Sequence, residues 1–66
     1  MLLSPPPFQL RRCKALFDFS PVEIGEMSLK RDQEIQILDD SDVHWWRGCV
    51  NGKQGVFPAN YVTRLE

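Results

Sequence analysis

Trp45-Trp46-Arg47-Gly48-Cys49-Val50-Asn51-Gly52-Lys53-Gln54-Gly55-Val56-Phe57-Pro58-Ala59-Asn60-Tyr61-Val62 decides the fold of this chain. Two strand-like runs flank Asn51-Gly52, and that dipeptide is a strong type I′ hairpin signal because both central residues must tolerate positive φ. Trp45 to Val50 is expected to run out to the turn, and Gln54 to Phe57 to return from it. Neighbours on a strand point to opposite faces, so only one tryptophan of the pair faces the interior. Trp46 shares its parity with Gly48, where a larger inward side chain would collide, so it reads as sheet support. Trp45 then presents a rigid indole outward, with a donor N–H at its tip. Pro58 lacks an amide hydrogen and ends the pairing, which predicts a short turn at Ala59-Asn60-Tyr61 and a closing strand from Val62 to Leu65. Trp45, Pro58 and Tyr61 together make a surface of flat apolar plates, the kind a proline-rich ligand in polyproline II conformation packs against.

Upstream, Cys13-Lys14-Ala15-Leu16-Phe17-Asp18-Phe19 has apolar residues at every odd position and predicts a first strand. Ser20 to Gly25 reads as a loop, Met27 and Leu29 alternate again, and Lys30 to Gln33 turns the chain. Glu34 to Leu38 is a second clear strand, followed by a polar loop from Asp39 to Val43. Ala15, Met27, Leu29, Ile35, Ile37, Phe57 and Val62 form the expected core. Five short strands with no helical segment predict an all-β fold, a small barrel or sandwich. Residues 1–11 contain Pro5-Pro6-Pro7 without apolar periodicity and read as a flexible arm or linker, leaving 12–66 as the domain. The arm is a poor internal ligand, because the proline three places from Pro5 would have to stand at Phe8.

A chain of 66 residues allows one small domain, and such a domain buries only about 60% of its unfolded surface. Cys13 alternates with Ala15 and is expected to point inward, while Cys49 shares a face with Trp45 and Arg47. That placement disfavours a disulfide between them and favours a reducing, cytoplasmic setting. No apolar run is long enough to span a membrane. The net charge is −1, but from Asp18 to Asp42 eight acids face only Lys30 and Arg31, and six bases face only Glu66 elsewhere. Such an acidic belt favours a cationic partner and is the wrong sign for nucleic acid. With His44 as the one histidine and no glycine-rich phosphate loop, the sequence predicts neither catalysis nor a cofactor or metal site.

Ala15-Leu16-Phe17-Asp18-Phe19, Glu26-Met27-Ser28-Leu29, Trp45-Trp46, Gly55 and Phe57-Pro58-Ala59-Asn60-Tyr61-Val62 follow one another in the order and spacing of a known family. Over residues 13–65 the chain resembles a Src homology 3 domain, of the kind found in adaptors for signalling or endocytic sorting. The resemblance implies a small five-stranded antiparallel barrel with a 3-10 turn before the last strand and a long acidic loop after the first. It also implies a monomeric module that binds proline-rich peptides. Phe17 and Tyr61 would form one groove for an X-Pro dipeptide, and Phe19, Trp45, Pro58 and Tyr61 the next. The Trp45 indole and the Asn60 side chain would hydrogen-bond ligand carbonyls. Glu23 and Glu26 would hold the ligand's Arg or Lys, with Asp42 contributing from the loop opposite.

Several residues depart from the family pattern. Phe17 and Phe19 replace tyrosines, and periodicity alone would assign both to the core. Val56 replaces a frequent aromatic, His44 stands where some relatives carry a further acid, and Asp32 occupies a turn position often held by glycine. Phenylalanine at those two positions occurs in adaptor domains that prefer Arg-x-x-Lys ligands, so both ligand types stay open. The alternative is the same fold used for ubiquitin or an intramolecular autoinhibitory segment. Ubiquitin-binding relatives tend to carry phenylalanine where this chain has Tyr61.

Overall fold

The computed structural model describes residues 11–65. Five strands, β1 (Arg12–Ala15), β2 (Glu34–Asp39), β3 (Trp45–Val50), β4 (Lys53–Pro58) and β5 (Val62–Leu65), form one sheet in the order β4-β3-β2-β1-β5. Every pairing between them is antiparallel. A 3-10 turn, Ala59–Tyr61, joins β4 to β5. The exposed edge of β4 is covered by the long loop 16–33, where Met27 N donates to Val56 O and Val56 N donates to Gly25 O, both at 2.9 Å. That contact curls the sheet into a small barrel and protects an edge that would otherwise template aggregation.

The hairpin between β3 and β4 pairs Val50 with Lys53, so Asn51 and Gly52 alone make the turn. Their φ angles of 53° and 82° are those a type I′ turn demands. Asp32 also sits at positive φ, 72°, in the tight turn before β2, and its amide donates to Ala15 O at 2.8 Å. Inward residues from all layers meet in one core of Cys13, Ala15, Leu29, Ile35, Ile37, Phe57 and Val62. Phe19, Met27, Trp46, Val50 and Tyr61 pack against it while half-buried. Gly48 is required by that core: a Cβ there would stand 2.6 Å from Ile35 Cγ2 and 2.7 Å from Phe57 Cε2.

Four expectations change in detail: the returning strand, to begin with, spans Lys53–Pro58 rather than Gln54 to Phe57, with Pro58 still paired opposite Trp45. The first strand stops at Ala15 rather than Phe19, because the chain bends at Leu16 and Phe17 and exchanges partners there. Phe19 pairs instead with Leu29 across the long loop, through two backbone hydrogen bonds of 3.0 Å. The second strand runs one residue further, to Asp39, and its register against β3 shifts between Ile37 and Asp39, leaving Leu38 as an extra, partly exposed residue. Met27 flanks the core rather than joining it. The proline-rich stretch lies outside the described residues. Arg11, at the junction, accepts the Ile37 amide at its carbonyl and places its guanidinium 2.7 Å from Asp40.

Candidate functional site

Strand parity separates the two tryptophans. Trp45 opens β3 opposite Pro58 and is 41% exposed, while Trp46 lies half-buried opposite Phe57. The Arg64 guanidinium covers the Trp46 ring, 4.5 Å from its centroid, and pairs with Asp40 at 2.7 Å. A planar cation on an indole seals that end of the barrel while its charge stays hydrated. Trp46 is therefore committed to the scaffold.

On the other face the aromatic side chains touch in sequence. Phe17 and Tyr61 meet edge-to-face with ring centroids 5.6 Å apart, Tyr61 and Phe19 at 5.5 Å, and Phe19 and Trp45 at 6.2 Å. Edge-to-face packing follows from the ring quadrupoles and leaves each plate standing at an angle to the next. Phe17 is 55% exposed because the bend after Ala15 turns it out of the core, whereas Phe19 rests partly against the interior. The core assignment that periodicity alone suggests is thus wrong for Phe17 and half right for Phe19. Pro58 and Asn60 complete a shallow depression beside Trp45, together with Val43 and His44. Val43 was missed in the sequence, where one aliphatic residue was absorbed into a polar loop. Its position just before His44-Trp45 was the available signal.

The acids divide by what they hold. Glu26 Oε1 accepts the amides of Val22 at 2.8 Å and Glu23 at 3.1 Å, closing the tip of the long loop onto itself. The Glu26 backbone bridges to Val56, which stands opposite Arg47 on β3, so Glu26 lies next along the same face from Trp45 and Pro58. Glu23 shares that loop and is exposed. Asp42 Oδ2 accepts the amides of His44 at 3.0 Å and Trp45 at 2.9 Å. Asp18 accepts the Arg31 amide, Asp39 binds the Ser41 amide and hydroxyl, Asp40 joins Arg11 and Arg64, and Glu34 pairs with Arg12. Much of the acidic belt therefore holds the chain's own loops. Among the described residues only Glu23 and Asp32, of those eight acids, have no such partner. The described residues bring no three His, Cys, Asp or Glu side chains together to hold a metal ion. No helix among them is long and apolar enough to cross a membrane.

Sequence comparison matches the SH3 domain family over residues 14–59. The chain belongs to the SH3 domain family. Solved SH3 domains superpose closely. The C-terminal SH3 domain of myosin IB from Entamoeba histolytica is 37% identical, with a TM-score of 0.81 over 86% of this chain and 95% of that one. The same myosin domain bound to an EhFP10(GEF) peptide gives 0.80 at the same identity and coverage. The yeast Pin3 SH3 domain gives 0.79 at 36% identity, over 83% of this chain and 98% of that one. Among curated proteins, the class E vacuolar protein-sorting machinery protein HSE1 of Mycosarcoma maydis is 51% identical over 91% of the chain. The HSE1 protein of Chaetomium globosum is 46% identical over 82%. The chain spans only 10% and 8% of those two relatives. SH3 domains are peptide-binding interaction modules, and the aromatic row of this SH3 domain is open to solvent at Phe17 and Trp45 and half-buried at Tyr61 and Phe19.

Proposed function

We propose that this SH3 domain is a non-catalytic module that binds proline-rich peptides in polyproline II conformation, bearing a flanking Arg or Lys or an Arg-x-x-Lys core. The observation that carries the reading is the continuous aromatic row Phe17–Tyr61–Phe19–Trp45, exposed at its two ends and half-buried between them, with Pro58 paired to Trp45. A polyproline II ligand is already stiff, so docking it against rigid plates loses little conformational entropy. Its carbonyls have no partners of their own, and the Trp45 indole N–H and the Asn60 amide supply donors. Glu23 and Glu26 hold the ligand's cation and set its orientation. Phe17 and Phe19 keep the apolar slots but cannot hydrogen-bond a ligand, which raises the share of affinity resting on Tyr61, Trp45 and the acids.

The similarity to vacuolar-sorting proteins supports a role within a larger adaptor; in this reading the adaptor is cytoplasmic, with residues 12–66 as its monomeric SH3 unit and residues 1–11 as a linker. The test is a titration of the isotopically labelled chain with two peptides, one PxxP with a flanking Arg and one Arg-x-x-Lys. Shifts of the Trp45 indole, Asn60 and Glu26 signals are expected, and the tighter peptide names the ligand class. Silence from all three with both peptides would refute the assignment.

A further inference from the structure

Asp42 stands beside the groove but spends one carboxylate oxygen inward. Its Oδ2 receives the His44 amide at 3.0 Å and the Trp45 amide at 2.9 Å, so it clamps the loop 40–44 where β3 begins. The clamped peptide reaches further. The His44 carbonyl accepts the amide of Ala59 at 2.8 Å, and Ala59 opens the 3-10 turn that carries Asn60 and Tyr61. Trp45 in turn pairs with Pro58, the residue before that turn. A single carboxylate thereby ties the loop to both walls of the depression formed by Val43, His44, Trp45, Pro58 and Asn60.

We propose that Asp42 is a positioning residue of this SH3 domain, setting the Trp45 indole and the Asn60–Tyr61 turn at fixed separation rather than pairing with the ligand's cation. The proposal rests on the peptide-binding reading above. Amide hydrogen bonds to a carboxylate are charge-assisted and stronger than neutral ones, which suits a clamp on an otherwise exposed loop. The Trp45 and His44 amides also hold the Asp42 carboxyl below its ordinary pKa, so the clamp is ionised at neutral pH.

Asp42→Ala removes the clamp, whereas Asp42→Asn removes the charge and keeps a side-chain oxygen that accepts the same amides. The first arm of the test needs no ligand: hydrogen exchange at the His44 and Trp45 amides and the Trp45 indole shift in the free chain. The second measures Kd for a PxxP peptide with a flanking Arg and for the same peptide with Gln in place of that Arg. Asp42→Ala should speed the exchange, move the indole signal and weaken both peptides by about the same factor, roughly fivefold. Asp42→Asn should stay within about twofold of the parent on both peptides. A loss confined to the Arg peptide, and equal in the two variants, would mean a charge role and overturn the proposal. Unchanged exchange and indole shift in Asp42→Ala would overturn it as well. If the parent chain bound neither peptide, the peptide-binding reading would fail, and the exchange arm would still decide whether Asp42 positions Trp45.

Discussion

Trp45 and Gly48 share β3 and meet opposite demands: one side chain must stand in the open, the other must not exist. Replacing Trp45 with Ala removes the largest plate of the groove but little of the core, since the indole is 41% exposed. Peptide binding should fall by roughly 2 kcal/mol, the cost of losing an aromatic hot spot. Calorimetric titration beside a thermal melt checks both halves of that expectation, and unfolding of Trp45→Ala would reverse the assignment of its side chain. Gly48→Ala should do the converse. Its Cβ would press on Ile35 and Phe57, both fully buried, and on the Gln36 carbonyl at 3.0 Å. Overpacking of this kind costs typically 1–3 kcal/mol, to be read from urea unfolding. Both roles were legible from parity alone, because Trp45 and Gly48 fall on opposite faces of one unbroken strand. The hydrogen bonds by which Glu26 and Asp42 hold their own loops were not legible. A carboxylate that accepts nearby amides looks, in a sequence, the same as one that faces solvent.

Elements were legible where one residue type dictates the backbone. Asn51-Gly52 fixed the β3–β4 hairpin, and Pro58 with the residues after it fixed the 3-10 turn and the start of β5. The end of β1 was hidden because alternation continues through Phe17 and Phe19 while the strand's partners change. Periodicity records an alternation of residue types; it shows neither where the backbone bends nor which strand supplies the hydrogen bonds. The hairpin itself yields a clean experiment. A Cβ at Gly52 would meet nothing within 4 Å, yet its φ is 82°. Gly52→Ala should therefore lower stability through backbone strain alone, by roughly 1–2 kcal/mol. Peptide affinity should be unchanged, since the turn lies at the opposite end of the hairpin from the Trp45–Pro58 pair. Denaturant midpoints and one binding isotherm would check the separation.

For the molecule as a whole, stability should fall in acid. Asp39 is held below its ordinary pKa by the Ser41 hydroxyl and amide, Asp40 by Arg64 and Arg11, and Asp42 by the Trp45 and His44 amides. A carboxyl whose folded pKa is depressed stabilises fully above its unfolded value, about 3.9 for Asp. That contribution is lost as pH falls from there through the folded-state values. The urea midpoint should thus hold steady from neutrality to about pH 5 and drop below about pH 4. Asp40→Asn should flatten part of that drop. All three carboxylates are at the surface, so added salt should weaken the effect of the Asp40 pairs more than that of the amide clamps. The sealed interior also has a use at the bench. Cys13 is fully enclosed, and burial pushes its thiol up to about 11, whereas Cys49 is partly open to solvent. An alkylating reagent at neutral pH should modify Cys49 readily and Cys13 only in molecules that have opened. The second labelling event is then a clock for global unfolding, readable by mass spectrometry in an unpurified mixture and without any dye or tag.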